Sequence, residues 1–154
     1  PGGAAERHRH HLRLAQRLLT LGVPLGGLGV QAHLDIEQPA GRITAFMRQA
    51  AQLGLPIHVS ELDASQRREG GPPDLRSLTT KREQQAARTR ELVEAFMELP
   101  AAQRFGLTTW ALRDRDSWLR RPPRDDGRDS LVFFDDLGRP TAMFDAFVKG
   151  VQAG

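Results

Sequence analysis

The sequence predicts an α/β fold in which short parallel strands alternate with amphipathic helices. Runs with helical periodicity alternate along the chain with short apolar runs that end in polar residues. The junction LGVP at residues 21–24 returns as LGLP at residues 53–56, a separation typical of one strand–helix unit. This alternation favours a parallel sheet whose connections pass through helices.

The first predicted unit is a helix over residues 11–21 followed by a strand. Gly22 is a C-terminal stop signal and Pro24 prevents continuation of the helix. The apolar run LGGLGVQAHL at residues 25–34 then predicts a strand. The helical stripe consists of Leu14, Ala15, Leu18 and Leu19.

The second unit has the same form, with a helix over residues 43–53 that ends at Gly54 and Pro56. The strand IHVSELDAS, residues 57–65, follows it. The apolar positions of the helix have i, i+3, i+4, i+7 spacing and are Ile43, Phe46, Met47 and Ala50.

Strand 57–65 begins apolar and ends with two carboxylates spaced two residues apart. In a regular strand Ile57, Val59, Glu61 and Asp63 share one parity, so we expect all four side chains on one face. Such a face is favourable where the strand opens onto a polar pocket. His58 has the opposite parity, so we expect it to face the surrounding helices.

The third unit is less regular. Thr80 and Glu83 have the spacing of a capping box for a helix that continues to about Met97. The run GLTTWAL at residues 106–112 predicts the third strand. A last amphipathic helix carries Met143, Phe144, Phe147 and Val148.

Polar or aromatic residues stand at the C-terminal ends of all three predicted strands. In a parallel sheet these ends lie along one rim, which is where ligands bind. Asp114, like its neighbour Arg113, is compatible with either a salt bridge or a substrate contact. The units fit a small open sheet or the later part of an eight-stranded barrel. The strand-end residues are Gln31 and His33, Glu61 and Asp63, and Trp110 and Asp114.

Composition excludes several classes of protein. The chain has 39% hydrophobic and 27% charged residues, no Cys and a formal net charge of +3, which is typical of a globular domain without disulfides. No apolar run approaches the length of a membrane-spanning helix. Basic residues alternate with acidic ones, so we expect no nucleic-acid partner. The segment HRHH, residues 8–11, predicts a solvated helix start rather than a metal site, and we expect no metal or cofactor.

Three ordered motifs give a specific resemblance: GLGVQAHL (27–34), LGLPIHVSELDAS (53–65) and TTWALRDRDSWL (108–119), followed by LVFFDDLGRPTAMFDAF. Together they resemble the family 10 glycoside hydrolases, mostly endo-1,4-β-xylanases. The resemblance implies a partial (β/α)8 TIM barrel, with strands six to eight and helices five to eight. It implies that residues 1–154 are the C-terminal portion of one catalytic barrel. We expect residues 1–10 to be poorly ordered.

The resemblance also implies roles for the rim residues. Glu61 matches the family's catalytic nucleophile, His33 the histidine that contacts it, and Asp63 the acid that orients this imidazole. Ser60 stands where Thr is usual, and Ala32 where Gly is common. The residues implied to bind the sugar are Gln31, Trp110 and Trp118.

A retaining glycosidase needs a second carboxyl group as acid/base. The family supplies it from an Asn-Glu pair that does not occur in this sequence. We therefore expect a chain that carries the nucleophile, lacks the acid/base and needs the N-terminal part of the same barrel. The implied substrate is xylan or xylo-oligosaccharide, the implied location extracellular, and the isolated chain inactive or nearly so. The alternative is a non-catalytic remnant that binds xylo-oligosaccharide weakly or not at all.

Overall fold

The computed structural model of the chain describes residues 4–67, 74–121 and 129–154. Short 3₁₀ turns at Ala101–Gln103, Asp114–Asp116 and Trp118–Arg120 complete the regular structure of this part. In chain order its helices and strands are α1 (Ala4–Thr20), β1 (Leu28–Val30), β2 (His33–Asp35), α2 (Arg42–Ala51), β3 (Ile57–Ser65), α3 (Leu78–Met97), β4 (Arg104–Thr109) and α4 (Ala142–Ala153).

Strand β3 is the centre of a parallel sheet, with β1 and β2 along one edge and β4 along the other. β1 pairs with the start of β3 and β2 with its end, so the two short strands form one interrupted edge strand. The predicted strand 25–34 is therefore present but broken at Gln31 and Ala32. Ala32 has a φ of 65°, in the left-handed region, which ends the ladder of β1 before His33 resumes it.

Between Val59 and Asp63, strand β3 contains one residue more than the strands on either side of it. Val59 pairs with Leu107 and Leu62 with Thr109, so three steps along β3 match two steps along β4. β3 has the same excess relative to the edge formed by β1 and β2. Val30 pairs with Val59 and His33 with Asp63, so four steps along β3 match three along that edge. This irregularity is a β-bulge, which reverses the face to which later side chains point.

The bulge corrects the expectation that four residues of β3 share a face. Burial alternates normally at the start of the strand, but Ser60 and Glu61 are both half-buried in succession. His58 therefore lies on the same open side as Glu61, where its Nε2 is 2.9 Å from the Thr108 Oγ1, and does not face the helices. The side chains of β3 that join the helix-covered core are Ile57, Val59, Leu62 and Ala64.

Helices α2, α3 and α4 pack on the other side of the sheet and bury the core. All four apolar positions predicted for the second helix are buried. In α4, Met143 is buried as expected. The other buried residues of this helix are Ala146 and Gly150, which were not predicted. Burial of these apolar side chains stabilises each helix only in the presence of the sheet, because short isolated helices are marginal in water.

Helix α1 differs from its prediction in length and in the face it buries. It begins at Ala4, so residues 4–10 form its first turns, while residues 1–3 lie outside the described residues. Leu14 is 59% exposed, whereas Ala15 is buried and Leu12 packs against the core. The inward stripe therefore centres on Leu12 and Ala15, while Leu18 and Leu19 of the predicted set are half-buried.

The N-terminus of α2 is capped by a side chain from α3. Its N-cap residue is Gly41, which has no side chain to accept the first backbone N–H groups. Glu91 supplies the acceptor instead: its Oε1 accepts hydrogen bonds from the N–H of Ile43 at 3.0 Å and of Thr44 at 3.2 Å. A carboxylate there also interacts favourably with the helix dipole.

Substitution Glu91→Ala should lower the free energy of unfolding by about 1–2 kcal/mol, because two N–H groups lose their acceptor. Urea unfolding followed by circular dichroism measures this. Glu94→Ala is the matched control, since Glu94 makes an exposed i, i+4 pair with Arg90. Such a pair contributes about 0.5 kcal/mol or less. Equal losses in the two variants would contradict the capping role.

Candidate active site

The candidate site centres on His33, whose imidazole lies between two carboxylates of β3. Its Nδ1 is 2.9 Å from Asp63 Oδ1, and its Nε2 is 3.1 Å from Glu61 Oε2. Asp63 is fully buried, while the side chains of His33 and Glu61 are partly exposed. A neutral imidazole carries one N–H, so two ionised carboxylates on one ring are both satisfied only by the imidazolium.

The bulge and the break in the edge strand bring these groups together. The N–H of Glu61 donates to the carbonyl of Gln31 at 3.0 Å, which joins the two irregular points of neighbouring strands. His33 then pairs in register with Asp63. Because the bulge turns both carboxylates of β3 towards the open side, one imidazole reaches both of them.

Asp63 accepts a second hydrogen bond on its other oxygen. The indole Nε1–H of Trp118 donates to Asp63 Oδ2 at 3.0 Å. Burial raises the pKa of Asp63, and the hydrogen bonds from His33 and Trp118 oppose this rise. The carboxylate is thus removed from water but has one donor for each oxygen, which is the condition for keeping a charge inside a protein.

The two tryptophans of the predicted sugar site lie at the same rim but differ in their contacts. Trp118 is 41% exposed, with its ring centroid 5.3 Å from that of His33. Trp110 is 45% exposed and follows β4, where its backbone N–H donates to the carbonyl of Leu62 at 3.0 Å. Gln31 is exposed and contacts the strand of Glu61 through its carbonyl. The structure therefore joins Trp118 to the carboxylates by its side chain, and places Gln31 and Trp110 beside them by the backbone.

A cavity of about 770 Å³ opens beside His33 and Gln31, between α1, α2 and the edge strand. The segment predicted as a solvated helix start lines part of it. His8 packs on Phe46 with ring centroids 4.7 Å apart, and burial together with nearby Arg42 lowers the pKa of His8. Within the part of the chain that the structure describes, no group of three His, Cys, Asp or Glu side chains has the arrangement of a metal site.

A buried polar layer behind the site is not evident from the sequence. Asp129 accepts from Ser65 Oγ at 2.7 Å and from the N–H of Gln66 at 2.9 Å, which fixes the end of β3. Gln85 of α3 donates to the carbonyls of Ala64 and Ser130. Their positions in a charged loop and in a polar stretch of helix carry no sequence signal, because only the tertiary contacts bury them.

The structure shows contacts within the chain for both Asp114 and Arg113, the residues for which a salt bridge and a substrate contact were left open. Asp114 is 3% exposed and accepts from the N–H of Leu131 at 2.8 Å and of Val132 at 3.2 Å. Arg113 pairs with Asp116. Asp114 thus holds the segment whose Leu131 carbonyl accepts from the N–H of Ala64 beside Asp63. Both residues are structural in these contacts.

Substitution Asp129→Asn should change how stability depends on pH. Burial raises the pKa of Asp129 above its unfolded value of about 3.9, so ionisation costs stability as pH rises from there through the raised value. Asn cannot ionise. The free energy of unfolding of the variant minus that of the parent should therefore increase with pH across this window and then level off, as measured by urea unfolding.

Asp116→Asn is the control of opposite sign. Its hydrogen bond with Arg113 lowers the pKa of Asp116, so its contribution is present above the unfolded value and lost at lower pH. The free energy of unfolding of this variant minus that of the parent should therefore decrease with rising pH. The decrease should be slight, because the ion pair is exposed and screened by solvent. A flat difference for Asp129→Asn would show that Asp129 ionises without cost.

Side chains gathered at the C-terminal ends of parallel strands form the usual ligand site of a parallel α/β fold. The chain belongs to glycosyl hydrolase family 10, whose model matches residues 3–150. Endo-1,4-beta-xylanase A of Cellvibrio japonicus is 36% identical over 124 residues, which cover 70% of this chain and 20% of that protein. An endo-1,4-beta-xylanase of Geobacillus stearothermophilus is 28% identical over 90% of this chain and 43% of its own length.

Solved structures agree with this assignment. A thermostable mutant of the Cellvibrio japonicus xylanase Xyn10A superposes with a TM-score of 0.82 at 28% identity, covering 97% of this chain and 46% of that one. A mutant of xylanase A from P. fluorescens subsp. cellulosa, in complex with xylopentaose, superposes with a TM-score of 0.78 at 28% identity, covering 97% of this chain and 46% of that one.

The predicted fold class, part of a (β/α)8 barrel, is confirmed by these neighbours. The described residues form an open parallel sheet covered by helices rather than a closed barrel. The chain spans less than half the length of the xylanases compared with it. Among the described helices, none combines the length and the apolar character required to cross a membrane.

Proposed function

We propose that this chain carries the nucleophile of a retaining endo-1,4-β-xylanase that hydrolyses the xylan backbone. The observation that supports this most directly is the contact of Glu61 with His33, which itself contacts the buried Asp63. A carboxylate that attacks a sugar must be ionised and held in one orientation. The hydrogen bond from the imidazole serves both needs.

In the proposed reaction, the Glu61 oxygen that is not bonded to His33 attacks the anomeric carbon of a xylose unit. The glycosidic bond breaks, and the leaving oxygen takes a proton from a second carboxyl group. Water then hydrolyses the glycosyl ester of Glu61, and the same second group accepts a proton from this water. The two inversions give net retention of configuration.

The proposed sugar contacts are those of the exposed rim. The half-exposed faces of Trp110 and Trp118 suit the C–H face of a pyranose, and Gln31 offers an amide beside the nucleophile. The relatives in family 10 are named as xylanases, and one structural relative holds xylopentaose. These names support xylan or xylo-oligosaccharide as the substrate class, and a polymer substrate supports an extracellular location.

We further propose that the acid/base comes from a part of the barrel outside these 154 residues. The second carboxyl of a retaining enzyme lies about 5–5.5 Å from the nucleophile. The sequence has no Asn-Glu pair, the context that the family resemblance implies for this group. The 154-residue chain by itself should therefore hydrolyse xylo-oligosaccharides very slowly or not at all.

Substitution Glu61→Ala, made in a polypeptide that completes the barrel, should lower kcat on the order of 10⁶-fold, as removal of a covalent nucleophile does in other enzymes. A xylobiose derivative with a 2-fluoro substituent and an activated leaving group should label the completed parent polypeptide. Mass spectrometry should find the label on a peptide that contains Glu61. Glu98→Ala is the control, since Glu98 is exposed and pairs only weakly with Arg48.

Retention of full activity by the Glu61 variant, or labelling of another carboxylate, would refute the nucleophile assignment. Fast turnover by the 154-residue chain would refute the proposed origin of the acid/base. The second candidate function, a non-catalytic remnant, predicts that even the completed polypeptide binds xylo-oligosaccharide weakly or not at all and does not hydrolyse it. The absence of an Asn-Glu pair from the sequence is the observation that favours it.

A further inference from the structure

Trp118 touches both partners of the His33–Asp63 pair. Its indole N–H donates to Asp63 Oδ2 at 3.0 Å, and its ring lies 5.3 Å from the imidazole at an interplanar angle of 58°. The backbone at this point is fixed by buried Ser117, whose Oγ accepts from the N–H of Leu119 at 3.3 Å. A side chain assigned only to sugar stacking would not require the first of these contacts.

We propose that Trp118 is a positioning residue for Glu61, and that its indole N–H fixes which nitrogen of His33 carries the proton. This inference rests on the proposed function of Glu61. The effect passes from the indole to Asp63, from Asp63 to the imidazole, and from the imidazole to Glu61. Trp118 also keeps its proposed contact with the sugar, since 41% of the residue remains exposed.

The argument follows from counting donors and acceptors. Trp118 occupies Oδ2 of Asp63, so a proton shared by Asp63 and His33 can lie only between Oδ1 and Nδ1. With two protons on the Asp63–His33 pair, His33 keeps a hydrogen on Nε2 whether the shared proton belongs to the carboxyl or to the ring. That hydrogen points at Glu61 Oε2, 3.1 Å from the nitrogen.

Removal of the indole N–H permits a different arrangement. Asp63 is fully buried, so an oxygen without a donor is costly, and protonation of Oδ2 relieves that cost. Oδ1 then accepts from the hydrogen on Nδ1 of a neutral His33, and Nε2 faces Glu61 with a lone pair. Two acceptors at hydrogen-bond distance repel, so Glu61 must turn away or bind a proton.

The indole N–H of Trp118 thus favours the arrangement in which Asp63 is charged, His33 is doubly protonated and Nε2 donates to Glu61. The ring of Trp118 packs beside the imidazole in a tilted arrangement, with the two centroids 5.3 Å apart.

The test is the protonation pattern of His33 in the purified 154-residue chain labelled with ¹⁵N. Long-range ¹H–¹⁵N spectra distinguish a ring nitrogen with a hydrogen from one without. In the parent, Nε2 should have the shift of a protonated nitrogen near neutral pH. In Trp118→Phe, which keeps an aromatic ring but removes the donor, Nε2 should move towards the shift of an unprotonated nitrogen.

Trp110→Phe is the matched control, because Trp110 is the other half-exposed tryptophan of the rim and no described side chain accepts a hydrogen bond from its indole. It should leave the His33 signals unchanged, and backbone amide spectra verify that each variant is folded. A His33 pattern in Trp118→Phe identical to that of the parent would overturn the inference.

A measurement on the parent chain covers the case in which Trp118→Phe does not fold. In the parent, Nε2 of His33 should carry a hydrogen, and on titration with acid the indole proton of Trp118 should move over the same pH range as the carboxyl carbon of Asp63. Independent movement of the indole proton would overturn the inference. Neither experiment needs turnover, so failure of the proposed hydrolase function would appear separately, in the Glu61→Ala and labelling results.

Discussion

One imidazole held between two carboxylates is the constraint to which the sheet of this chain is adapted. A regular β3 would turn Glu61 and Asp63 to the same side as Ile57 and Val59, which the helices cover. A charged side chain there would lose its hydration without gaining a partner, at a cost of several kcal/mol. The extra residue of the bulge avoids this cost and turns both carboxylates to His33.

The support behind the site explains how a short strand can hold such a group in place. The end of β3 is fixed by Asp129 and Gln85, and the segment beside it by Asp114. All three side chains are buried, and each forms at least one hydrogen bond with a backbone group. Burial also raises the pKa of Asp114 and of Asp129, so the rigidity of this layer is obtained with carboxyl groups that are costly to ionise.

Much of the fold follows from the sequence because its signals are local. Helical periodicity located the buried stripe of α2, and turn residues marked the ends of the first two helices. The position of polar residues at strand ends was enough to expect Glu61, His33 and Asp63 on one rim, and these residues do meet in the structure. The family resemblance suggested which carboxylate contacts the imidazole.

The features that could not be read from the sequence depend on contacts between distant segments. The bulge in β3 is defined by two neighbouring strands at once, so the parity of residues 57–63 gave a wrong face for His58. Asp129 and Asp114 lie in charged stretches that resemble solvated loops, and only packing buries them. The capping of α2 by Glu91 joins residues more than 40 positions apart, beyond any local pattern.

The break in the edge strand has a consequence for how tightly the site is held. Ala32 adopts a left-handed conformation that costs an L-residue about 1 kcal/mol, and only the strand pairing on both sides compels it. Glycine would relieve this strain, but it would also restore rotational freedom to the peptide that precedes His33. The methyl group of Ala32 thus reduces the number of backbone conformations open to the unfolded chain. It also limits motion of the backbone that carries the imidazole of His33, at the expense of local strain.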